Sequence, residues 1–228
     1  MEVNSIFDSS FDEIDSLCVT IGRPNKNRNQ QHIGLLYTDS EGETKFLHLA
    51  WHFALSNDKP DNKFIWLDIP LDPLNKIHLA SMCQTIYESN QDGIPYGLCI
   101  EGTGFAKDGT FTAEEQYAGL TCATFVIRFF HSQGFSIIDL EQWNHLPDDK
   151  VWQRQILQLL EGHASKEHID AQRIKIQKGA ARFKPEVVAA AVTLPSPPHD
   201  AEHLTEPANK ILAEVIKHAQ KYATKSTQ

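Results

Sequence analysis

At 228 residues the chain has the length for one large hydrophobic core, or for one domain with a helical appendage, and its 41% hydrophobic and 22% charged content excludes a disordered or fibrous protein. A formal net charge of -9 argues against a nucleic-acid binder, which needs a basic footprint to displace counterions from phosphates. Cys18, Cys83, Cys99 and Cys122 are far apart with no Cys-x-x-Cys pair, so neither a zinc ribbon nor a disulfide framework is indicated. The amino terminus lacks the basic start and apolar run of a secretion signal, and no stretch reaches the length of a membrane span. The expectation is a cytoplasmic protein in a reducing compartment, with no metal, no other cofactor and no integral membrane segment.

Residues 1 to about 16 are acidic and irregular. Leu17 to Ile21 alternates as a strand ending at Gly22, and Arg23 to Gln31 is a polar loop. His32 to Tyr37 and Lys45 to Ala50 flank Asp39-Ser40-Glu41-Gly42, which is hairpin turn chemistry. Phe64 to Ile69 adds a further strand. Pro70 and Pro73 introduce a helix from about Leu74 to Ser89, with Ile77, Ala80, Met82 and Ile86 near helical spacing. Tyr96 to Ile100 reads as a short strand. Gly102, Gly104 and Gly109 follow in a loop that is either a mobile lid or plain surface; Gly102 and Gly104 make no nucleotide fingerprint, since the third glycine of that motif and the βαβ context are missing.

Leu120 to Phe130 reads as a buried helix, and Asp148 to Glu161 as an amphipathic one carrying Val151, Trp152, Ile156, Leu159 and Leu160. Residues 165 to 192 hold one or two more helices. Pro195-Ser-Pro-Pro198 then demands extended backbone, and Thr205 caps a terminal helix with Ala208, Ile211, Leu212, Val215, Ala219 and Tyr222 on one face. The division expected is a catalytic domain over 1–145 and a helical extension over 146–228, with the proline-rich linker near 195–198.

Cys122 is the candidate nucleophile. Gly119 permits a tight approach and Thr121 is a good N-cap, which places Cys122 at the first helical position ahead of the apolar face of Phe125, Val126, Phe129 and Phe130. There the unpaired N–H groups and the helix dipole favour thiolate and can hold an oxyanion. A cysteine nucleophile needs a base and a group that orients the base. Antiparallel pairing through the Asp39–Gly42 turn brings His32 close to His48.

The run His-Ile-Gly-Leu-Leu-Tyr, a turn with Gly42, Leu-His-Leu-Ala, and later Thr-Cys-Ala-Thr-Phe-Val resembles the lecithin:retinol acyltransferase family and its bacterial relatives with a permuted NlpC-type papain-like fold. The likeness covers roughly Leu17 to Ser132. It departs from the family at Thr121, where asparagine is common, and at Ala123-Thr124, where glutamate and histidine are common. The resemblance implies an α+β fold in which an antiparallel sheet packs on a cysteine-bearing helix. It also implies His32 as base, His48 as third polar residue and Cys122 as the nucleophile that carries a thioester. Gln116, six residues before Cys122, resembles the oxyanion-hole glutamine of papain-like proteases, against the plainer reading of an exposed loop glutamine.

The function expected is a cysteine hydrolase (peptidase or amidase) acting on an amide, isopeptide or ester carbonyl. Its substrate would be a peptide, an isopeptide or an acyl compound, and a second nucleophile in place of water would make it an acyltransferase. A non-catalytic binding or scaffold protein on the same fold is the alternative. A metal site at His48 and His52 is disfavoured, because four residues on a strand span about 13 Å.

Overall fold

Odd and even positions of the strands part into two hydrophobic layers. Leu17, Val19, Ile21, Ile33, Leu35, Tyr37, Leu47, Leu49, Ile65 and Leu67 are buried in the main core, while Cys18, Leu36, Phe46, Phe64 and Trp66 form a smaller cluster on the opposite face. This is the period-two signature of a sheet covered on both sides. The computed structural model describes residues 2–24, 30–144, 146 and 148–225, so residues 25–29 of the expected polar loop lie outside the described residues.

The fold is α+β. Six antiparallel strands, β1 (Val3–Asn4), β2 (Leu17–Gly22), β3 (His32–Thr38), β4 (Thr44–Trp51), β5 (Ala54–Asp58) and β6 (Phe64–Asp68), pair in the order β1-β6-β2-β3-β4-β5. A separate hairpin pairs β7 (Thr103–Phe105) with β8 (Phe111–Ala113). The helices are α1 (Pro73–Ser89), α2 (Cys122–Ser132), α3 (Asp149–Leu160), α4 (Lys166–Gln177), α5 (Pro185–Thr193) and α6 (Ala201–Lys225). The β3–β4 hairpin turns as its sequence requires: the Asp39 carboxylate accepts from the N–H groups of Glu41 and Glu43, each at 2.9 Å, and Gly42 takes φ 81°.

Helix α2 packs across β3 and β4, and α5 packs on β2, β3 and α2. Ile156, Leu160, Val188, Leu204, Ile211 and Val215, all beyond residue 145, are buried in the same core as the sheet. The Pro195–Pro198 segment is pinned on its far side: His199 N–H donates to the Ile137 carbonyl (3.2 Å) and Asp139 N–H to the His199 carbonyl (3.0 Å).

Several elements differ from the sequence reading. Strand β5 was not expected, because an edge strand reading Ala-Leu-Ser-Asn-Asp, largely half-buried, carries no clean alternation. The chain enters it through Phe53 at φ 54°. Tyr96–Ile100 makes a single bridge, from Tyr96 to Leu120, instead of a strand, and β7–β8 fills part of the stretch read as a glycine loop. In α1 the buried face is Lys76, Leu79, Ala80, Cys83 and Ile86, and Ile77 is 53% exposed. Lys76 holds that inner position because its Nζ meets Asp68 (2.8 Å) and Asp15 (3.0 Å). Helix α6 starts four residues before Thr205, at Ala201, where the Asp200 carboxylate accepts from His203 N–H (2.9 Å). Thr205 instead donates to the Ala201 carbonyl within the helix.

The turn before α2 is set by close backbone approach. A Cβ on Gly119 would lie 2.2 Å from the Pro95 carbonyl oxygen, and one on Gly97 would lie 2.6 Å from the Gly119 nitrogen. The two segments are tied by Leu120 N–H to the Pro95 carbonyl (3.0 Å) and Gly97 N–H to the Leu120 carbonyl (3.2 Å). Gly119→Ala should therefore destabilise the fold by about 3 kcal/mol, as overpacking with no side chain free to yield does. Urea unfolding measures this, and a loss under about 1 kcal/mol would mean that the backbones part without strain.

Candidate active site

Helix α2 begins as the sequence requires. Thr121 Oγ1 accepts from Thr124 N–H (3.1 Å) and Thr124 Oγ1 accepts from Thr121 N–H (2.7 Å), so Thr124 completes a capping box in the place usually held by Glu or Gln. Cys122 is thereby fixed as the first helical residue, with its sulfur beside the backbone N–H groups of Ile33, Cys122 and Ala123. Ile33 directly follows His32. The start of β3 and the start of α2 therefore meet at this thiol.

His32 and His48 occupy even positions, on the sheet face away from α2. His48 stacks on Phe46 (centroids 4.1 Å, planes at 20°), and His32 stands edge-on to both His48 (4.8 Å) and Phe64 (6.2 Å). Their ring nitrogens touch, His32 Nε2 to His48 Nδ1 at 2.8 Å, and His48 Nε2 lies 3.8 Å from the Asp58 carboxylate on β5. The glycine of His-Ile-Gly makes the room, since a Cβ on Gly34 would come within 2.6 Å of the Phe46 ring and 2.7 Å of the His48 Cβ. Beside the pair opens a cavity of about 410 Å³ lined by His32, Phe46, His48, Asp58, Asp61 and Phe64, among others.

Asp58 decides the tautomers. A carboxylate facing His48 Nε2 favours the proton there, which leaves Nδ1 of His48 as acceptor and Nε2 of His32 as donor. Nδ1 of His32 is then the basic nitrogen, and among the described residues no contact joins His32 to Cys122, which lies on the other face of the sheet. Both rings are held neutral: burial lowers His32 to about 3, reinforced by His48, and burial lowers His48 to about 4 against the opposing pull of Asp58 and Asp61.

The thiol departs from expectation. Burial pushes Cys122 up to about 11, outweighing the amides of Ile33, Ala123 and Cys122 and the positive charge of Arg182. The first-turn amides do favour thiolate, but Cys122 is only 6% exposed and desolvation wins. The resting pair is neutral thiol with neutral imidazole. Among the described residues the Cys122 sulfur makes no side-chain hydrogen bond.

Gln116 is exposed on the segment between β8 and α2, so the glutamine expected from papain-like spacing is placed as a surface residue. The buried amide of that region is Gln172 of α4, which accepts from Leu98 N–H (2.8 Å) and donates to the Tyr117 carbonyl (2.6 Å). His52 turns away from His48: its Nδ1 accepts from Tyr96 N–H (3.0 Å), while His168 Nε2 bonds the Tyr96 carbonyl (2.7 Å). These two histidines clamp the segment that bridges to Leu120. Arg182, whose charge reaches Cys122, was missed because it stands 60 residues downstream in a stretch with no motif. Among the described residues no cluster of three or more His, Cys, Asp or Glu side chains is arranged to hold a metal ion, and no helix is long and apolar enough to cross a membrane.

His32, His48 and His52, the last lowered to about 4 by burial with His168 and His163, all bind protons more weakly folded than unfolded. The stability this represents is complete above the unfolded value of about 6.5 and is lost as pH falls toward about 4. Urea midpoints should drop steeply over that interval, and His48→Gln should flatten the slope. Parallel slopes for the two proteins would show that the His32–His48 pair does not titrate with unfolding.

Comparison of the chain with protein-family models, with curated proteins and with solved structures finds no match. The resemblance to the lecithin:retinol acyltransferase family thus rests on the residues quoted above.

Proposed function

We propose that the protein is a cysteine hydrolase that cleaves an amide, isopeptide or ester bond through a thioester on Cys122, with His32 as base and His48 as the group that orients it. What supports this reading is a capped helix start that sets the Cys122 sulfur against the Ile33 amide, one residue from His32, together with the His32–His48 contact at 2.8 Å and Asp58 behind it at 3.8 Å. The two histidines lie on the sheet face away from α2, so the reading requires the His32 side chain to turn about the start of β3 to reach the thiol. The permuted papain-like fold belongs to the same proposal.

In this reading the His32 side chain turns to the α2 side of the sheet, and the thiol proton passes to its Nδ1 as the sulfur bonds the substrate carbonyl carbon. The carbonyl electrons move onto oxygen, where the first-turn N–H groups of α2 receive them. Collapse of that adduct expels the amine or alkoxide, which takes the proton from His32. Water then attacks the thioester with His32 again as base, releasing the acid and the thiol. Proton transfer must accompany carbon–sulfur bond formation, because a thiol near 11 and an imidazole near 3 do not form a resting ion pair. An acyl acceptor other than water would give a transferase by the same steps.

The test is to incubate the protein with p-nitrophenyl acetate and map the acetyl group by mass spectrometry. Acetyl on Cys122, in preference to Cys18, Cys83 and Cys99, is the expected result. Those three thiols offer a matched comparison, since burial pushes Cys18 up to about 12 and Cys99 up to about 11, and raises Cys83 well above the usual thiol value. No acetyl on Cys122, or labelling equal to that of half-buried Cys99, would favour the non-catalytic reading. Gly34→Ala, which crowds His48 and Phe46, should slow acetylation at least about tenfold by displacing the His32 partner; an unchanged rate would remove His48 from the mechanism.

A further inference from the structure

The turn between β4 and β5 meets the segment that leads to Cys122 through three contacts. Phe53 N–H donates to the Ile94 carbonyl (2.9 Å), His52 Nδ1 accepts from Tyr96 N–H (3.0 Å), and the Trp51 ring packs on Tyr96 (4.8 Å between centroids). The fit leaves no slack, since a Cβ on Gly93 would lie 2.1 Å from the Phe53 carbonyl oxygen. From the other side α4 supplies His168, only 4% exposed, with Nε2 2.7 Å from the Tyr96 carbonyl. The bridge from Tyr96 to Leu120 uses the groups on either side, the Pro95 carbonyl and the Gly97 N–H. The N–H and carbonyl of Tyr96 itself are therefore left to the two imidazoles, which stand 4.7 Å apart.

A proton affects the two rings differently. A backbone N–H only donates, so His52 Nδ1 is unprotonated in this clamp, and a proton there sets donor against donor. A backbone carbonyl only accepts, so His168 Nε2 already carries its proton and keeps its bond when the ring becomes charged. The titratable groups facing His52 are His168 on α4, His163 just before α4, and the phenol of Tyr96, which burial keeps neutral. No carboxylate is among them to hold a second proton on the ring. Burial, His168 and His163 lower His52 to about 4, so the clamp is closed at neutral pH. Leu120 stands two residues before Cys122, and Thr121 between them caps α2. What fixes Tyr96 thus fixes the turn from which the thiol-bearing helix starts.

We propose that His52 and His168 are positioning residues for Cys122, acting through Tyr96, and that a proton on His52 opens the clamp and frees the turn that carries the thiol. The clamp stands whatever Cys122 reacts with, and only its consequence for turnover rests on the hydrolase reading.

Deuterium uptake by residues 94–122 of the full chain, corrected for the intrinsic pH dependence of exchange, tests it. His52 holds a second proton near 4 in the clamp and near 6.5 once released, so opening should rise roughly twentyfold between about pH 7 and about pH 5. Uptake by β3 is the control for global unfolding and should rise less. Labelling of Cys122 by a dipyridyl disulfide, which attacks thiols in acid, should increase in parallel. His52→Asn offers Tyr96 N–H an amide oxygen that takes up no proton, and should hold the corrected uptake level over the same interval. His168→Gln keeps a donor for the Tyr96 carbonyl and should retain the acid rise. Should His52→Asn fail to fold, the contrast between residues 94–122 and β3, with the His168→Gln response, decides the matter. No rise in the wild type, an equal rise in β3, a full rise in His52→Asn, loss of the rise in His168→Gln, or no gain in Cys122 labelling would overturn the inference. Exchange involves no reaction at Cys122, so this failure is distinct from an absence of acetyl transfer.

Discussion

With His32 replaced by alanine, acetylation of Cys122 by p-nitrophenyl acetate should slow by roughly 10²-fold or more, the usual contribution of a positioned base. The pH dependence should change as well. In the native protein both partners are neutral at rest, with His32 near 3 and the thiol near 11. The rate should therefore be level between about pH 6 and about pH 9, and should fall toward about pH 4 as the histidine pair takes up protons. Without His32 the reaction must pass through free thiolate, so its rate should climb about tenfold per pH unit toward the thiol value. A wild-type profile that climbs in the same way would mean that His32 takes no proton from Cys122. A sharp bell with an acidic limb near 6 would instead restore the resting thiolate that burial is held here to exclude.

Cutting the chain after residue 145 should leave no cooperatively folded protein. The chain beyond that point contributes Ile156, Leu160, Phe183, Val188, Leu204, Ile211 and Val215 to the same core as the sheet. At about 1.5–3 kcal/mol for each buried side chain, their loss removes upward of about 10 kcal/mol. The whole stability of a domain is only about 5–15 kcal/mol. The cut also removes His168 and Gln172, which hold Tyr96, Leu98 and Tyr117 in the segments leading to Cys122. The expected result for residues 1–145 is a gradual urea response without a sigmoid, and weak amide-exchange protection. A sharp transition would show instead that the sheet and α2 stand alone and that the later helices are an appendage.

Local chemistry was legible from the residues. The Asp39–Gly42 turn, the strands on either side, the Thr121 cap and the helix opening at Cys122 all depend on contacts within a few positions, and sequence reports such contacts well. The approach of His32 to His48 followed from the hairpin, although its register sets Gly34, not His32, opposite His48 and makes the contact diagonal. Edge strand β5 was not legible, because its residues obey neither period. The inward position of Lys76 was hidden too, since two carboxylates distant in sequence make it tolerable.

What the sequence by itself determined about this protein is a set of short-range decisions: an α+β chain, a two-histidine hairpin, and a cysteine at a capped helix start. Only the tertiary structure decided the protonation of that cysteine. The dipole and amides that favour thiolate are local and readable, but the desolvation that opposes them depends on everything packed around the sulfur, and here it is the larger effect. The same holds for Asp58 behind His48, for Arg182, and for the joining of the late helices to the core. Each depends on long-range packing that no spacing along the chain records.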